Sequence, residues 1–361
     1  MADNFSIFDF MGEEGEKYKP IKATDWRWSM ADDYPEQKNG LKVFSCFACG
    51  GGSTMGYKLA GCEVLGCVEI DPRMNEVYKT NHKPKYNYCM DIREFNALPN
   101  EELPPELFNL DILDGSPPCT TFSMAGDRED SWGKKKKFRE GQAEQTLDDL
   151  SFIFIDTVAK LKPKCVVMEN VEGLIRGEAW AYVQRIYAHF NEIGYIVKHW
   201  LVKGELMGIP QARHRVIFVA IRRDMQFDIE KIDMSFNYEP IYFGEVKEGI
   251  GEPAACYDLL CRAQHGDRAL CDIIMREKGK WSRFNESIVW NDKVCSTIHN
   301  HGFYRGEEKS KFSVEDYRNC STFPRDYDWC GEKASYICGM SVPPVMMKRV
   351  VTRLIESGLF K

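Results

Sequence analysis

A thiol, a carboxylate and two guanidinium groups stand next to apolar, strand-like runs of this sequence. Cys119 follows an apolar run and a pair of prolines, and Glu169 ends a second apolar run. Arg213 and Arg215 introduce a third run, and their spacing of two places them on the same face of a strand. The thiol could act as a nucleophile and the carboxyl group could exchange a proton. The arginines could bind a carboxylate, a phosphate or a base oxygen.

The loop that presents Cys119 is predicted to be stiff. It reads Asp114-Gly115-Ser116-Pro117-Pro118, and each proline ring restricts the backbone and lacks an N–H donor. We predict that the preceding run, residues 108–113, is a buried strand that stops at Gly115. Farther along, the helical spacing of Leu150 and Phe154 predicts a helix over residues 143–160. Ligands bind at the carboxyl ends of strands in open α/β sheets. An isolated cysteine beside a turn is more often inert, but the proline pair and the ordered motifs that follow favour a nucleophile.

Three earlier strands are predicted to end in polar or glycine-rich tips. The first, residues 41–48, runs into a glycine cluster and a helix, an arrangement that brings backbone N–H groups close to a cofactor. The second ends in Glu69, about 20 residues after the glycines, where an acid can bind ribose hydroxyls. The third, near residues 86–90, ends at Asp91 and Ile92. Together the three tips predict a nucleoside pocket.

Substitution at carbon 5 of a pyrimidine is the chemistry that suits these side chains. Carbon 5 is a weak nucleophile, but addition of a thiolate at carbon 6 makes an enamine in which carbon 5 attacks. An acid at N3 favours the addition, and an arginine on O2 stabilises the developing charge. The carbon 5 proton then leaves and the thiol is eliminated. Cys119, Glu169 and Arg215 fit these three roles.

At these residues the sequence resembles the DNA (cytosine-5) methyltransferase family. The resemblance covers about residues 41–222 and 293–358, and its motifs occur in the family's order. They are Phe47-Ala48-Cys49-Gly50-Gly51-Gly52 with Gly56, Pro118-Cys119-Thr120-Thr121-Phe122-Ser123, Glu169-Asn170-Val171, Gln211-Ala212-Arg213-His214-Arg215 and Gly339-Met340-Ser341-Val342-Pro343-Pro344. The sequence departs from the family pattern at Ser45, Cys49 and Met340, where the family has aspartate, glycine and asparagine.

The resemblance implies an α/β, Rossmann-like methyltransferase fold. Its mostly parallel seven-stranded sheet would be flanked by helices and would carry a smaller inserted target-recognition domain. The implied segments are an N-terminal extension (1–40), a catalytic and cofactor-binding domain (41–222), the target-recognition domain (223–292) and a C-terminal part that completes the catalytic domain (293–361). The resemblance also implies S-adenosyl-L-methionine as methyl donor and double-stranded DNA as partner, with the target cytosine flipped out of the duplex.

The resemblance assigns residues of this sequence to two sites. The catalytic residues would be Cys119, Glu169, Arg213 and Arg215. The cofactor would contact the loops after several strands, with Glu69 on the ribose and Asp91 beside the adenine. The full set is Phe47, Ala48, Gly50, Gly51, Gly52, Glu69, Ile70, Asp91, Ile92, Asp114, Pro118, Ser341 and Val342. No metal is expected, because Cys46 and Cys49 have zinc-site spacing without a second pair.

Composition predicts a soluble protein of the cytoplasm. No apolar run among the 361 residues reaches the roughly 18 that a spanning helix needs, and we expect no secretory signal. The 14 cysteines are scattered, which favours reduced thiols. The net charge of −7 argues weakly against uniform electrostatic binding of nucleic acid but leaves room for basic patches. We expect a nucleoid-associated monomer, with a cognate restriction endonuclease as a candidate partner and no membrane contact.

Several interpretations stay open. Residues 124–139, with four consecutive lysines, could be a solvated loop, but we favour a mobile lid that touches phosphates. The basic residues beside Trp281 and Trp290 suit nucleic-acid contact, although an ordinary surface explains them almost as well. The runner-up function is methylation of cytosine in tRNA, but that branch has threonine where this sequence has Ser123. A non-catalytic DNA-binding homologue is disfavoured by the intact catalytic residues.

Overall fold

The computed structural model describes residues 20–118, 135–136, 145–146, 150–299 and 302–361. In these residues the strands are β1 Lys42–Cys46, β2 Glu63–Val68, β3 Tyr86–Tyr88, β4 Ile112–Gly115, β5 Lys135–Lys136, β6 Gln145–Thr146, β7 Cys165–Val171, β8 Tyr195–Lys203, β9 Gln211–Ala212, β10 His214–Arg222, β11 Ser287–Val289, β12 Cys295–Ser296, β13 Phe303–Arg305 and β14 Ser310–Lys311. The helices are α1 Gly52–Leu59, α2 Pro72–His82, α3 Ile92–Ala97, α4 Leu150–Leu161, α5 Trp180–Glu192, α6 Phe243–Val246, α7 Tyr257–Leu260, α8 Leu270–Lys278, α9 Val314–Cys320, α10 Ala334–Met340 and α11 Pro344–Glu356.

One large sheet organises the chain, in the strand order β3-β2-β1-β4-β7-β10-β8. Strand β10 runs antiparallel to its neighbours β7 and β8, and the other adjacent pairs of this sheet are parallel. The predicted mostly parallel, seven-stranded sheet is therefore confirmed. Chain order reverses between β1 and β4, where Cys46 lies opposite Gly115. Such a reversal opens a crevice at the carboxyl ends of the strands, where ligands bind in open α/β folds.

Helices cover both faces of the sheet. Successive residues of a strand point to opposite faces, so Val43 belongs to one buried cluster and Phe44 to the other. The cluster around Phe44 includes side chains of α3, α4 and α5, whereas the cluster around Val43 includes side chains of α1 and α11. Helix α11 thus comes from the far end of the chain to pack on α1, the helix that follows the glycine loop.

Two predicted element boundaries were wrong. The apolar spacing around Leu150 and Phe154 predicted a helix from residue 143 to 160, but α4 begins at Leu150. Gln145–Thr146 instead pairs with Lys135–Lys136 as a short antiparallel ribbon, whose inter-strand hydrogen bonds replace helical ones. The strand predicted from residue 108 begins at Ile112, because Pro105–Phe108 forms a tight 3-10 turn. The predicted stop at Gly115 is confirmed.

The described part of the N-terminal segment is anchored to the C-terminal part of the chain. Trp28 is 2% exposed, and its Nε1 donates to the carbonyl oxygen of Thr322 over 2.7 Å. Asp25 forms ion pairs of 2.7 and 2.6 Å with Lys348 and Arg349 of α11. The expectation that aromatic residues of this segment pack on the main domain is confirmed for Trp26 and Trp28, whereas Phe5, Phe8 and Phe10 lie outside the described residues.

The segment after β10 contributes to several buried clusters. Ile229 and Ile232 pack in the cluster beneath the large sheet. Leu260, Ile273 and Trp290 instead belong to a separate small cluster, alongside the three-stranded sheet β11-β13-β14. A segment with its own buried cluster is compatible with an inserted domain, and the domain boundaries at 223 and 292 stay a prediction.

Candidate active site

The loop after β1 is tightly bent and packed against distant parts of the chain. Its backbone is left-handed at Phe47, Cys49 and Gly51, with φ values of 57°, 46° and 85°. A β-carbon on Gly51 would lie 1.9 Å from Nε2 of His82, and one on Gly52 would lie 2.2 Å from the carbonyl oxygen of Val342. The predicted reason for these glycines was close approach to a cofactor. The structure shows that packing within the protein already requires them.

Glu69 joins the tip of β2 to this loop. Its Oε2 accepts a hydrogen bond from the backbone N–H of Cys49 over 2.7 Å, and its Oε1 accepts one from the N–H of Asp71 over 2.9 Å. The side chain is buried, and burial raises the pKa of Glu69 above its ordinary value. The carboxyl group therefore lies at the crevice in a position fixed by two backbone donors.

Four of the predicted cofactor residues line one cavity beside the loop. They are Phe47, Ile70, Asp91 and Ile92, and Val68, Met90 and Leu150 complete the lining. Most of these side chains are apolar, and the Asp91 carboxylate adds a hydrogen-bond acceptor that also caps α3 through the N–H of Arg93. A flat, mainly apolar ring with an exocyclic donor would suit such a lining.

Glu169 and Arg215 form a buried ion pair on adjacent strands. Glu169 of β7 lies opposite Ile217 of β10, so Arg215, two residues away, shares its face. Nε of Arg215 is 2.6 Å from Oε1 of Glu169, and the two side chains are 11% and 10% exposed. Burial lowers the pKa of Arg215, while the Glu169 carboxylate opposes that shift. Low local polarity strengthens the attraction between the two groups.

This ion pair lies beside the loop that leads to Cys119. Strands β4 and β7 are adjacent, with Gly115 opposite Met168, the residue before Glu169. Nδ2 of Asn170 donates to the carbonyl oxygen of Pro117 over 3.3 Å and so ties the proline pair to β7. Cys119 itself lies outside the described residues, as does all of the predicted lid except Lys135–Lys136.

Arg213 has a different environment from Arg215. Both of its terminal nitrogens donate to the carbonyl oxygen of Gly339, each over 3.1 Å. Burial, and then the charge of Arg215, lower the pKa of Arg213 to about 9. The structure thus separates the two arginines: Arg215 faces Glu169, and Arg213 supports the segment that carries Ser341 and Val342.

Asp114 belongs to β4 and lies opposite Ser45 of β1, next to the crevice. Its Oδ2 accepts a hydrogen bond from Ser45 over 3.1 Å, and its Oδ1 accepts one from the hydroxyl of Tyr57 over 3.2 Å. Burial raises the pKa of Asp114 to about 7, although both hydrogen bonds oppose that shift. The carboxyl group predicted to contact the cofactor is therefore held by two protein hydroxyls.

The arrangement can be compared with known proteins. Residues 41–253 match the family model described as C-5 cytosine-specific DNA methylase. The chain belongs to this family. Among the curated relatives of the chain, Type II methyltransferase M.Sau96I of Staphylococcus aureus is 32% identical over 51% of the chain and 39% of the relative. M1.HphI of Haemophilus parahaemolyticus is 29% identical over 88% of the chain and 87% of the relative. The chain spans only about half the length of several other curated relatives it matches.

A solved structure shares the fold of this family member. It is a prophage-encoded E. coli protein described as a DNA modification methyltransferase, with a TM-score of 0.66 and 16% identity over 88% of this chain and 99% of that one. At this identity the likeness concerns the fold alone, and it confirms the predicted Rossmann-like methyltransferase fold. In the part of the chain that the structure describes, no helix is long and apolar enough to cross a membrane. The same residues contain no cluster of three or more His, Cys, Asp or Glu side chains that could hold a metal ion.

Some residues at the crevice were missed by sequence reasoning. Val68 and Met90 line the cavity and adjoin predicted strand ends, so their positions could have indicated them. Leu150 lies at the start of a helix whose beginning was misplaced. His82 and Tyr327 contact the glycine loop from elements with no local signal of that role. All thirteen predicted cofactor contacts stay predictions, including those of the four residues that line the cavity. The nine outside that lining are Ala48, Gly50, Gly51, Gly52, Glu69, Asp114, Pro118, Ser341 and Val342.

Proposed function

We propose that this chain is a DNA (cytosine-5) methyltransferase. It would transfer a methyl group from S-adenosyl-L-methionine to carbon 5 of a flipped cytosine in duplex DNA, through a covalent adduct between Cys119 and carbon 6. Family membership supports this proposal. The observation that carries it is the buried Glu169–Arg215 ion pair at the edge of the crevice, beside the proline loop that leads to Cys119.

Three of the four predicted catalytic residues have a defined task in this proposal, and Arg213 stays a predicted catalytic residue. The Cys119 thiolate adds to carbon 6, and the electron pair of the 5,6 double bond then attacks the methyl group from carbon 5. Glu169 holds a proton at N3, which makes the ring a better electron acceptor. Arg215, fixed by Glu169, binds O2 and stabilises the charge that collects there. Loss of the carbon 5 proton and elimination of the thiolate restore the aromatic ring and the enzyme.

The side chains that line the cavity beside the glycine loop suit contact with a nucleoside cofactor. Its apolar lining, from Phe47 and Ile70, would contact the adenine, and Asp91 would accept from the exocyclic amine. Each carboxylate oxygen of Glu69 accepts one backbone hydrogen bond, which leaves further lone-pair sites for ribose hydroxyls. When bound there, S-adenosyl-L-methionine would supply an electrophilic methyl group.

A basic, aromatic segment supports DNA as the polymer. In the segment 254–292, Arg262, His265 and Arg276 are ion-paired with neighbouring acids. Residues 278–284 differ, because they contain two lysines, one arginine and no acid, and no ion pair involves them within the described chain. Trp281 and Phe284 of this segment are 69% and 56% exposed. Such residues suit contact with phosphates and bases, even on a chain of net charge −7.

The proposal extends to the setting of the enzyme. We place target recognition in residues 223–292, and the exposed segment 278–284 lies within that range. We further propose a cytoplasmic, nucleoid-associated monomer with a cognate restriction endonuclease as partner. The names of the curated relatives as Type II methyltransferases support this setting.

Covalent trapping tests nucleophile, base and polymer together. A duplex that carries 5-fluorocytosine should form a stable adduct with the wild-type chain in the presence of S-adenosyl-L-methionine, because fluorine cannot leave carbon 5 as the proton does. Cys119→Ala should form no adduct and transfer no labelled methyl, while its thermal unfolding stays unchanged.

The same assay with 5-fluorocytosine-containing tRNA gives the decisive comparison. Adducts on duplex DNA alone support the proposal, and adducts on tRNA alone would replace it with RNA methylation. An adduct that persists in Cys119→Ala would assign the nucleophile elsewhere. No adduct on either polymer, from a protein that binds S-adenosyl-L-methionine, would overturn the covalent mechanism.

A further inference from the structure

The carbonyl oxygen of Gly50, in the middle of the glycine loop, accepts two side-chain hydrogen bonds. The hydroxyl of Tyr327 lies 2.6 Å away and Nε2 of His82 lies 3.1 Å away. A carbonyl oxygen has two lone pairs, so these two donors saturate it. The donors come from different parts of the chain, because His82 ends α2 and Tyr327 lies between α9 and α10.

Both donors are rigidly held. Tyr327 and His82 are 5% and 6% exposed. The ring of Tyr327 packs edge-on against both Phe323 and Trp329, with ring centroids 4.9 and 4.8 Å away. The ring of His82 packs edge-to-face on Tyr78 at 4.7 Å. Neither donor can leave the carbonyl oxygen without disturbing an aromatic cluster.

The protonation state of His82 is set by its surroundings. Burial, and then the charge of Lys58, lower the pKa of His82 to about 3, so the ring is neutral at neutral pH. A carbonyl oxygen only accepts hydrogen bonds, so the single ring proton lies on Nε2. His82 therefore acts as a permanent donor to the loop.

The same two side chains also leave no room for a larger residue in the loop. A β-carbon on Gly50 would lie 2.5 Å from the Tyr327 hydroxyl, and one on Gly51 would lie 1.9 Å from His82 Nε2. On the other side of the peptide, the N–H of Gly51 donates to the carbonyl oxygen of Ala48 over 2.8 Å. The Gly50–Gly51 peptide is thus fixed through both its carbonyl and its N–H group.

We propose that Tyr327 and His82 are positioning residues for the cofactor, which fix the Gly50–Gly51 peptide and preorganise the loop that binds S-adenosyl-L-methionine. This inference rests on the proposed function, because it assigns the loop to that cofactor. A loop that is ordered before binding loses less conformational freedom when the ligand arrives, so affinity rises without any new contact to the ligand. The catalytic step, which takes place around Glu169, should depend little on these two residues.

Tyr327→Phe tests the proposal, with Tyr195→Phe as a matched control. Tyr195 is equally buried, and its hydroxyl donates to the carbonyl oxygen of Pro163 over 2.7 Å, far along the chain from the glycine loop. Loss of one such hydrogen bond should weaken S-adenosyl-L-methionine binding by about three- to tenfold in Tyr327→Phe, measured by calorimetry. The control should lose similar thermal stability but keep its affinity, and kcat at saturating cofactor should stay within about twofold in both.

Hydrogen exchange in the absence of cofactor provides a second readout. The backbone amides of residues 49–53 should exchange faster in Tyr327→Phe than in the wild type. Their exchange rates should be unchanged in Tyr195→Phe. His82→Gln, which keeps a donor near the position of Nε2, should retain affinity, whereas His82→Leu should lose it. Unchanged affinity together with unchanged exchange in Tyr327→Phe would overturn the proposal. A wild-type chain that binds no S-adenosyl-L-methionine would contradict the proposed function instead, and the exchange rates would still decide whether Tyr327 orders the loop.

Discussion

The two sides of the crevice are held in different ways. On one side, the base half, Glu169 and Arg215 come from adjacent strands, and the strand register alone brings their charges together. On the other side, the cofactor half, the Gly50–Gly51 peptide is held by neutral hydrogen bonds and close packing from residues that are remote in sequence, and Glu69 accepts from the neighbouring N–H of Cys49. The base half is therefore assembled by adjacent strands of the sheet. The cofactor half is assembled by α2 and by the segment between α9 and α10, which pack against the glycine loop.

This difference separates chemical from conformational effects. A change in the base half removes a charge that the proposed reaction uses, and it leaves the partner charge buried without compensation. A change in the cofactor half leaves all reactive groups in place but alters the shape of a loop. Substitutions in the two halves should accordingly differ in whether they lower the rate or the affinity.

The largest effect is expected for Glu169→Gln in the base half. Loss of the carboxyl group should lower kcat for methyl transfer by about 10²- to 10⁴-fold, because protonation at N3 is lost. It should also lower the free energy of unfolding by about 3 kcal/mol, because Arg215 stays buried without a counter-charge. Single-turnover transfer of labelled methyl and urea unfolding measure the two quantities.

Glu172→Gln is the matched control for that substitution. Glu172 follows the same strand and pairs with His214 and Arg176, but it is not part of the Glu169–Arg215 ion pair. Its replacement should change kcat by less than about threefold, because Glu172 takes no part in the proposed proton transfer. The loss of stability should also be small, because Arg176 is 65% exposed and its charge stays hydrated. If Glu169→Gln kept more than a tenth of the wild-type rate, the result would contradict the proposed chemical role of Glu169 in the base half.

A smaller effect is expected for Gly51→Ala in the cofactor half. Gly51 has φ 85°, and the new β-carbon would clash with His82. The left-handed backbone and the clash together should cost about 2 to 4 kcal/mol of stability and weaken cofactor binding at least about tenfold, with kcat less affected. Gly177→Ala has φ 59° and open space around the new atom, so it should cost only about 1 kcal/mol and spare binding. Equal effects of the two alanines would show that backbone strain, and not the contact with His82, constrains the loop.

The smallest effect is expected from Asp114, which lies between the two halves. The pKa of its carboxyl group is raised from an unfolded value of 3.8 to about 7. Between these values the folded state binds the proton more tightly than the unfolded state does, so Asp114 stabilises the protein at low pH and loses this contribution as pH rises through about 7. Asp114→Asn keeps a group that can bond to Ser45 and Tyr57 but cannot ionise.

The measurement compares how the free energy of unfolding depends on pH in the wild type and in Asp114→Asn. From pH 5 to pH 8 the free energy of unfolding of the wild type should fall relative to that of Asp114→Asn, by about 2 kcal/mol. Urea unfolding at four pH values across this range gives the two curves. Parallel curves would mean that Asp114 keeps an ordinary pKa and that the hydroxyl pair solvates its charge.

Sequence reasoning succeeded where the determining interactions are local. The strand that ends at Gly115 and the strand that carries Glu169 were both predicted, because an apolar run and a chain-breaking residue lie within a few positions of each other. The start of α4 was missed, because the helical spacing continues backwards past the residue where the chain turns into β6. Arg213 was grouped with Arg215 by their spacing and by the family resemblance, and only the structure shows that Arg215 pairs with Glu169 whereas Arg213 donates to the carbonyl oxygen of Gly339.

The sequence by itself determined the succession of the main strands along the chain and the polar residue at the end of each strand. The reason is that hydrophobic periodicity and turn-forming residues act over a few positions. Family membership follows from the same local motifs. The tertiary structure alone decided what holds the glycine loop: Tyr327 reaches Gly50 across 277 positions of the chain. No local pattern encodes such a contact, because it depends on how α2 and the segment between α9 and α10 pack together around the carbonyl oxygen of Gly50.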